Sequence, residues 1–277
     1  MSERSHAEHS AMVSGVFNRA ADLYESVGVE YFSVFGRWLV EGSALQAGQR
    51  VLDLGCGRGA VTLPAAAAVT ASGHIVARDL APRMVELLSA DVAAHGLSNV
   101  DVRIDDAQSP RVEPDSFDRV LAGFLVFMLP DPLAALQTWR GLLRPSGRLA
   151  FSTFGPDDER WSWASTLWQF VPPEQRPTGN DLVDRRWRDA AYVQDVVASA
   201  GYSDVVSHER ELLVRFRDVE QWDAWSHSQG QRAMWERIPP ERHDEVRHAA
   251  AEHLARIRDA DGTMHLRSTV RITTARR

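Results

Sequence analysis

Apolar residues recur at helical spacing between positions 12 and 44: Val13, Val16, Phe17, Ala20, Ala21 and Tyr24, then Phe32, Phe35 and Leu39. That pattern predicts two helices ahead of any strand. From Gln49 the rhythm changes to short apolar runs separated by longer amphipathic stretches. The runs predict strands over 50–54, 74–78, 100–104, 117–123 and 147–153, with helices from about Gly59, over 82–95 and over 131–143. Pro82 suits a first helical position, and Pro145-Ser-Gly147 suits a turn. Further on, 189–200 reads as a helix closed by Gly201 and 205–216 as a strand. Residues 219–257 read as helix interrupted at Pro239-Pro240, and 263–273 as a closing strand. Strands alternating with helices imply an α/β fold, a mostly parallel sheet wrapped on both faces. The expected division is a helical cap over 1–48, a ligand-binding core over 49–155, and the rest of the sheet with cap insertions over 156–277, integrated as one domain.

Composition narrows the function. The chain has 277 residues, is 44% hydrophobic and carries a net charge of −7. It can bury a large core, but it has no overall attraction for a phosphate backbone, so nucleic acid is not an expected partner. The single cysteine, Cys56, excludes an intrachain disulfide framework and a multi-cysteine metal site, and it suits a reducing cytoplasm. No apolar run is long enough for a membrane span. His243, His248 and His253 spread around a helix instead of sharing a side, so no metal is expected. A homodimer is compatible with the sequence.

Arg50-Val-Leu-Asp-Leu-Gly-Cys-Gly-Arg-Gly59 holds the chemistry. Glycines at 55, 57 and 59 after an apolar strand allow a tight turn that approaches a ligand by its backbone, with a helix N-terminus behind it. With Ala60 the turn also satisfies G-x-G-x-x-[GA], so a nicotinamide or flavin dinucleotide competes for it. Asp53 counts against that competitor, because its charge disfavours a nearby pyrophosphate and suits a cationic amine. Asp79 ends the second strand, where a carboxylate can accept both hydroxyls of a ribose; Asp106-Ala107 follows the third strand, where it can read an adenine edge.

DLGCGRG, ARDLAPRM, DDAQSP, PDSFDRVLAGF and LLRPSGRLAFSTF, in that order, resemble the motif set of class I S-adenosylmethionine-dependent methyltransferases. The resemblance is closest to the small-molecule branch related to ubiquinone and menaquinone biosynthesis. It implies a Rossmann-like seven-stranded sheet whose last strand is antiparallel, with S-adenosylmethionine across the carboxyl ends of the first strands. Carried over, Asp53, Gly55 and Gly57 would surround the methionine portion, Asp79 would hold the ribose, and Leu80 and Met84 would pack on the adenine. Asp106 and Ala107 would read the adenine edge, and Ala122 would offer a carbonyl near its amino group. Arg78 departs from the glycine common at that position in the branch, and Leu80-Ala-Pro82 replaces a serine-containing turn. LAGFLVFMLPDP after the fourth strand lacks the Asn/Asp-Pro-Pro-Tyr of members that methylate nucleic-acid amines, which favours a small acceptor.

Seven of the nine tryptophans fall between positions 161 and 235. Trp161, Trp163, Trp222 and Trp225 are expected to offer aromatic faces to a flat or apolar acceptor such as a quinone-like natural product. FNRAADLYESVGVEYF and WDAWSHSQGQR are similar to segments of methyltransferases of bacterial secondary metabolism, including some that methylate carbon on terpenoid scaffolds. On that resemblance Tyr24 would lie over the cofactor and His227 would be a base or orienting group. The polar SHSQGQ predicts a helix break at 226–230, with His227 entering the pocket from a loop and Tyr24 facing it. Carbon or oxygen is the expected target atom before nitrogen. An NAD(P)-dependent oxidoreductase and a non-catalytic relative that binds the same ligand are the rival readings.

Overall fold

The computed structural model describes residues 3–176, 185–260 and 262–277. Two helices come first, α1 (Glu3–Ala20) and α2 (Phe32–Ser43). Then β1 (Arg50–Leu54), α3 (Thr62–Val69), β2 (His74–Asp79), α4 (Pro82–Ala94), β3 (Val100–Ile104), β4 (Phe117–Gly123), α5 (Pro132–Leu142) and β5 (Leu143–Phe154) alternate. The remainder contains α6 (Trp163–Trp168), α7 (Ala190–Ser199), β6 (Ser203–Phe216), α8 (Val219–His227), α9 (Arg232–Trp235), α10 (His243–Arg256) and β7 (Met264–Arg276).

All seven strands join one sheet in the order β3-β2-β1-β4-β5-β7-β6. The ladders among β1 to β5 are parallel, while β7 runs antiparallel to both β5 and β6, so the expected fold holds. After β3 the chain crosses back to place β4 beside β1, and this reversal opens a crevice at their carboxyl ends.

Local chemistry sets the helix starts. Pro82 and Pro132 occupy first-turn positions, and Asp131, Asp189 and Asp218 each accept a hydrogen bond from a first-turn amide of α5, α7 and α8. One expectation shifts. Pro145-Ser-Gly147 lies inside β5: the register jumps from Phe117 opposite Leu143 to Arg119 opposite Arg148, and the intervening residues bow out of the ladder. The stretch over 219–257 is cut in both expected places, by the turn after His227 and again at the two prolines.

One packing detail positions the crevice. α2 lies on β5, β7 and α3, and at its Gly36 an added Cβ would stand 2.0 Å from the Ala60 carbonyl oxygen. Only glycine lets this helix press against the loop that follows β1. No helix among the described residues is long and apolar enough to cross a membrane.

Candidate functional site

A cavity of about 240 Å³ opens at the β1/β4 crevice, roofed by α1, α2 and the segment between α8 and α9. Its first wall is built from the ends of strands. The β1 loop is tied down by hydrogen bonds from the amides of Gly55 and Cys56 to the Arg78 carbonyl, at 2.8 and 3.0 Å. Gly57 donates its amide to Asp79 Oδ2 and Ala81 donates to Asp79 Oδ1, both at 2.8 Å. Asp79 thus clamps the glycine loop to the start of α4, and each carboxylate oxygen keeps acceptor capacity for a ligand. Gly55 and Gly57 have φ of 69° and 50°, the left-handed region that glycine enters without strain. A Cβ at Gly57 would meet nothing within 4 Å, since it would project into the cavity.

Beyond Asp79 the wall continues through Leu80, Met84, Asp106 and Ala107. The Asp106–Ala107 turn is fixed from behind by Trp139 of α5, whose indole donates to the Ala107 carbonyl at 2.7 Å. Arg78 is a structural residue: its guanidinium is buried, reaches Asp101 Oδ2 at 2.9 Å and also donates to the Ala77 and Asp101 carbonyls. α1 covers this end, with Ser14 donating to the Leu80 carbonyl at 2.9 Å and His9 Nε2 donating to the Met128 carbonyl at 2.8 Å.

The opposite wall is aromatic, and its residues come from distant parts of the chain. Tyr24 stacks on Phe32 with ring centres 5.3 Å apart, Phe32 meets the edge of Phe124 at 5.3 Å, and Phe124 contacts Phe154 at 4.6 Å. Phe127 completes the group 5.6 Å from Phe154. Gln229 and Gln231 of the turn between α8 and α9, together with Asp157, Trp168, Arg185, Arg188 and Arg237, also belong to the lining.

Of the residues expected from the sequence, Tyr24, Gly55, Gly57, Asp79, Leu80, Met84, Asp106 and Ala107 line this cavity. Asp53 and Ala122 do not. Both are wholly buried inside their strands, Asp53 behind the glycine loop with Thr62 donating to its Oδ2 at 2.5 Å, and the wall begins one residue after Ala122, at Gly123. The tryptophan expectation is corrected. Trp161, Trp222 and Trp225 belong to the core, because the large apolar face of α8 turns toward α10 and β6. Trp161 packs on Trp222 at 5.6 Å and donates its indole N–H to Thr166, and Trp225 meets Tyr31 and Phe216 at 5.3 Å. The side chain of Trp163 lies outside what the structure describes.

His227 is corrected as well. The helix does end there, within the expected break, but the imidazole folds back on the protein. It stacks on Trp235 with ring centres 4.2 Å apart, and its Nδ1 lies 2.9 Å from the Asp223 carbonyl. Gln229 and Gln231, two and four residues on, reach the cavity in its place. Sequence reasoning missed these two and the phenylalanines. The phenylalanines did carry a positional signal: Phe124 and Phe127 directly follow β4, and Phe154 ends β5.

Burial governs the charges. It pushes the Asp53 carboxyl up to about 7 against the lowering effect of the Thr62 hydrogen bond, and its Oδ1 is buried without a partner. It raises Asp79 above the ordinary carboxylate range, and it raises the Tyr24 phenol further, with Glu25 and Asp79 adding to the effect. It lowers His227 below the usual histidine value. The first wall can therefore accept hydrogen bonds from a polar ligand, and the aromatic wall can hold a flat apolar one while Tyr24 stays protonated.

The profile of the methyltransferase domain family matches residues 51–147, the span from β1 to the bulge in β5. The nocamycin O-methyltransferase of Saccharothrix syringae is 32% identical over 87% of this chain and 89% of its own length. The aklanonic acid methyltransferase DauC of a Streptomyces species is 35% identical over 68% of this chain and 84% of its own. Among solved structures, the YcgJ protein of Bacillus subtilis superposes with a TM-score of 0.59 at 17% identity, covering 88% of this chain and 99% of that one.

Proposed function

The chain belongs to the S-adenosylmethionine-dependent methyltransferases, and on that footing we propose that it methylates an oxygen of a planar, largely apolar natural-product acceptor held against the phenylalanine wall. The observation that carries this reading is the cavity itself, which has hydrogen-bond acceptors on one side and an aromatic cage on the other. The relatives named for methylating nocamycin and aklanonic acid support the acceptor class, and the first supports oxygen. The lone, buried Cys56 supports a reducing, cytoplasmic setting.

The residues fit the donor. The open space in front of Gly57 admits a ligand against bare backbone. Gly55 and Gly57 would hold the amino-acid end, Asp79 the ribose hydroxyls, and Leu80, Met84, Asp106 and Ala107 the adenine. Bound there, S-adenosylmethionine supplies a methyl group on a sulfonium. The protein's own work is positional: the glycine loop and Asp79 fix one partner, the cage fixes the other, and α1 with α2 keeps water out. Tyr24, stacked on Phe32 and kept protonated by burial, would donate a hydrogen bond to an acceptor oxygen that enters already ionised, orienting it with no proton left to remove. In this division of labour residues 1–48 act as the cap, 49–155 as the donor-binding core, and 156–277 complete the sheet and the acceptor wall.

Calorimetric titration with S-adenosylmethionine, S-adenosylhomocysteine and NAD tests the donor assignment. The expected result is binding of the first two alone. Transfer of a labelled methyl group to planar hydroxylated or acidic aromatic compounds tests the acceptor class; transfer to amines in preference to oxygen compounds would refute it.

A further inference from the structure

The two walls of the cavity differ in charge. The strand ends contribute Asp79 and Asp106, whereas the segments from Phe154 onward contribute Arg185, Arg188 and Arg237 and, among the described lining residues, one carboxylate, Asp157. In a chain of net charge −7, three arginines in the lining of one cavity run against the overall balance. Asp157 is already engaged, accepting from Arg188 Nη1 at 2.5 Å. Arg185 and Arg237 pair with no carboxylate among the described residues; Arg237 has only the Met12 sulfur, 4.0 Å from its Nη2.

Arg188 ties this charge to the aromatic cage. Its guanidinium lies over the Phe154 ring, 5.5 Å from the centre, and its Nε is buried without a hydrogen-bond partner. Gln231 adds a second unsatisfied group. It is 7% exposed and lines the cavity, and its Oε1 is buried with no partner. Buried polar groups left unpaired by the protein are ordinarily paired by something else. A neutral ring would leave the arginines' charge uncompensated, and a cation would be repelled by them.

We infer that the acceptor is a planar aromatic acid bound as its anion, with its ring among Phe32, Phe124, Phe127 and Phe154 and its ionised oxygens facing Arg185, Arg188 and Arg237. This rests on the methyl-transfer reading and adds to it the acceptor's charge. Arginine suits the task because its planar fork matches a carboxylate and its face stacks on an aromatic ring. The unpaired Gln231 Oε1 would then accept from an O–H or N–H on the same ring system.

The test is calorimetric and needs no turnover. Protein saturated with S-adenosylhomocysteine is titrated with anthracene-2-carboxylate and with the uncharged anthracene-2-carboxamide. The carboxylate should bind at least about tenfold more tightly, the scale of one charge-assisted hydrogen bond, and the gap should shrink as salt is raised. In the double variant Arg185→Gln/Arg237→Gln the gap should close to about threefold or less, while S-adenosylhomocysteine affinity stays at the parent value and reports an intact fold. Equal binding of acid and amide, or no binding of the acid to the loaded protein, would overturn the inference and leave the donor site standing. Failure of S-adenosylhomocysteine to bind, seen before any aromatic compound is added, would instead strike the methyl-transfer reading.

Discussion

Trp161, Trp222, Trp225 and Trp235 close on one another and on their neighbours, whereas Phe32, Phe124, Phe127 and Phe154 gather around open space. Both groups are large, aromatic and mostly shielded from bulk water, so size and apolarity do not separate them. Backbone position does. Trp222 and Trp225 sit within α8 on the face turned to α10 and β6, where neighbouring elements cover them. Phe124 and Phe127 leave β4 where the chain reverses between β1 and β4, and Phe154 ends β5, so their rings project past the sheet into the crevice. An aromatic face is available to a ligand when the backbone that carries it has run out of neighbours.

The sharpest test of that distinction is Trp222→Ala. The side chain is fully buried between Trp161 and Trp235 and is not among the residues that line the cavity. The substitution should cost about 3–5 kcal/mol of folding stability, read from denaturant unfolding. The protein that remains folded should bind S-adenosylhomocysteine with the parent affinity. A variant that kept its stability but lost acceptor binding would return Trp222 to the site.

Asp79→Asn probes the other kind of wall, the one made by backbone and a single carboxylate. Asparagine keeps an acceptor for one of the two loop amides but loses the charge, so cofactor affinity should fall by about 1.5–3 kcal/mol, roughly ten- to a hundredfold. Titration with S-adenosylhomocysteine measures it. One of the two backbone amides would then face the asparagine NH2 and lose its acceptor, so a loss of about 1–3 kcal/mol in folding stability is expected beside the loss of affinity.

Phe154→Leu should act on the cage alone. It removes the ring contacts with Phe124 and Phe127 and the surface under Arg188 while leaving most of the apolar volume. The expected loss is about 0.5–1.5 kcal/mol in affinity for a planar acceptor, with cofactor affinity unchanged. An equal loss for both ligands would mean that the two walls are not separable.

The donor wall was legible because it is local. β1, β3 and β4 occupy the ranges that their apolar runs predict, and Gly55 and Gly57 follow β1 while Asp79 ends β2 within one stretch of chain. The acceptor wall was not, since Tyr24, Phe32, Phe124, Phe154 and Gln231 meet only through the packing of elements more than a hundred residues apart in the extreme case. Tyr24 was placed by resemblance, not by periodicity. The tryptophans misled because bulk drew attention from position, and the strand ends that carry the phenylalanines were already evident in the alternation.

His227→Ala closes the comparison with the smallest expected effect. The residue was expected in the cavity and instead stacks on Trp235, so its removal should leave methyl transfer and its pH profile unchanged and cost only about 0.5–1.5 kcal/mol of stability. The pH dependence of that cost has a definite sign. Burial lowers the folded-state value of His227 below 6.5, with the Asp223 carbonyl opposing, so the unfolded chain binds a proton more readily than the native one. Its contribution is therefore fully present above about pH 6.5 and is lost as pH falls through the interval between the unfolded and folded values. Unfolding free energies of parent and variant, compared from neutral pH downward, should converge as acid is added. A gap that widened instead would mean that the ring is charged in the folded protein, where Asp223 at 3.6 Å would hold it as an ion pair, and that the stack on Trp235 is not what keeps it out of the cavity.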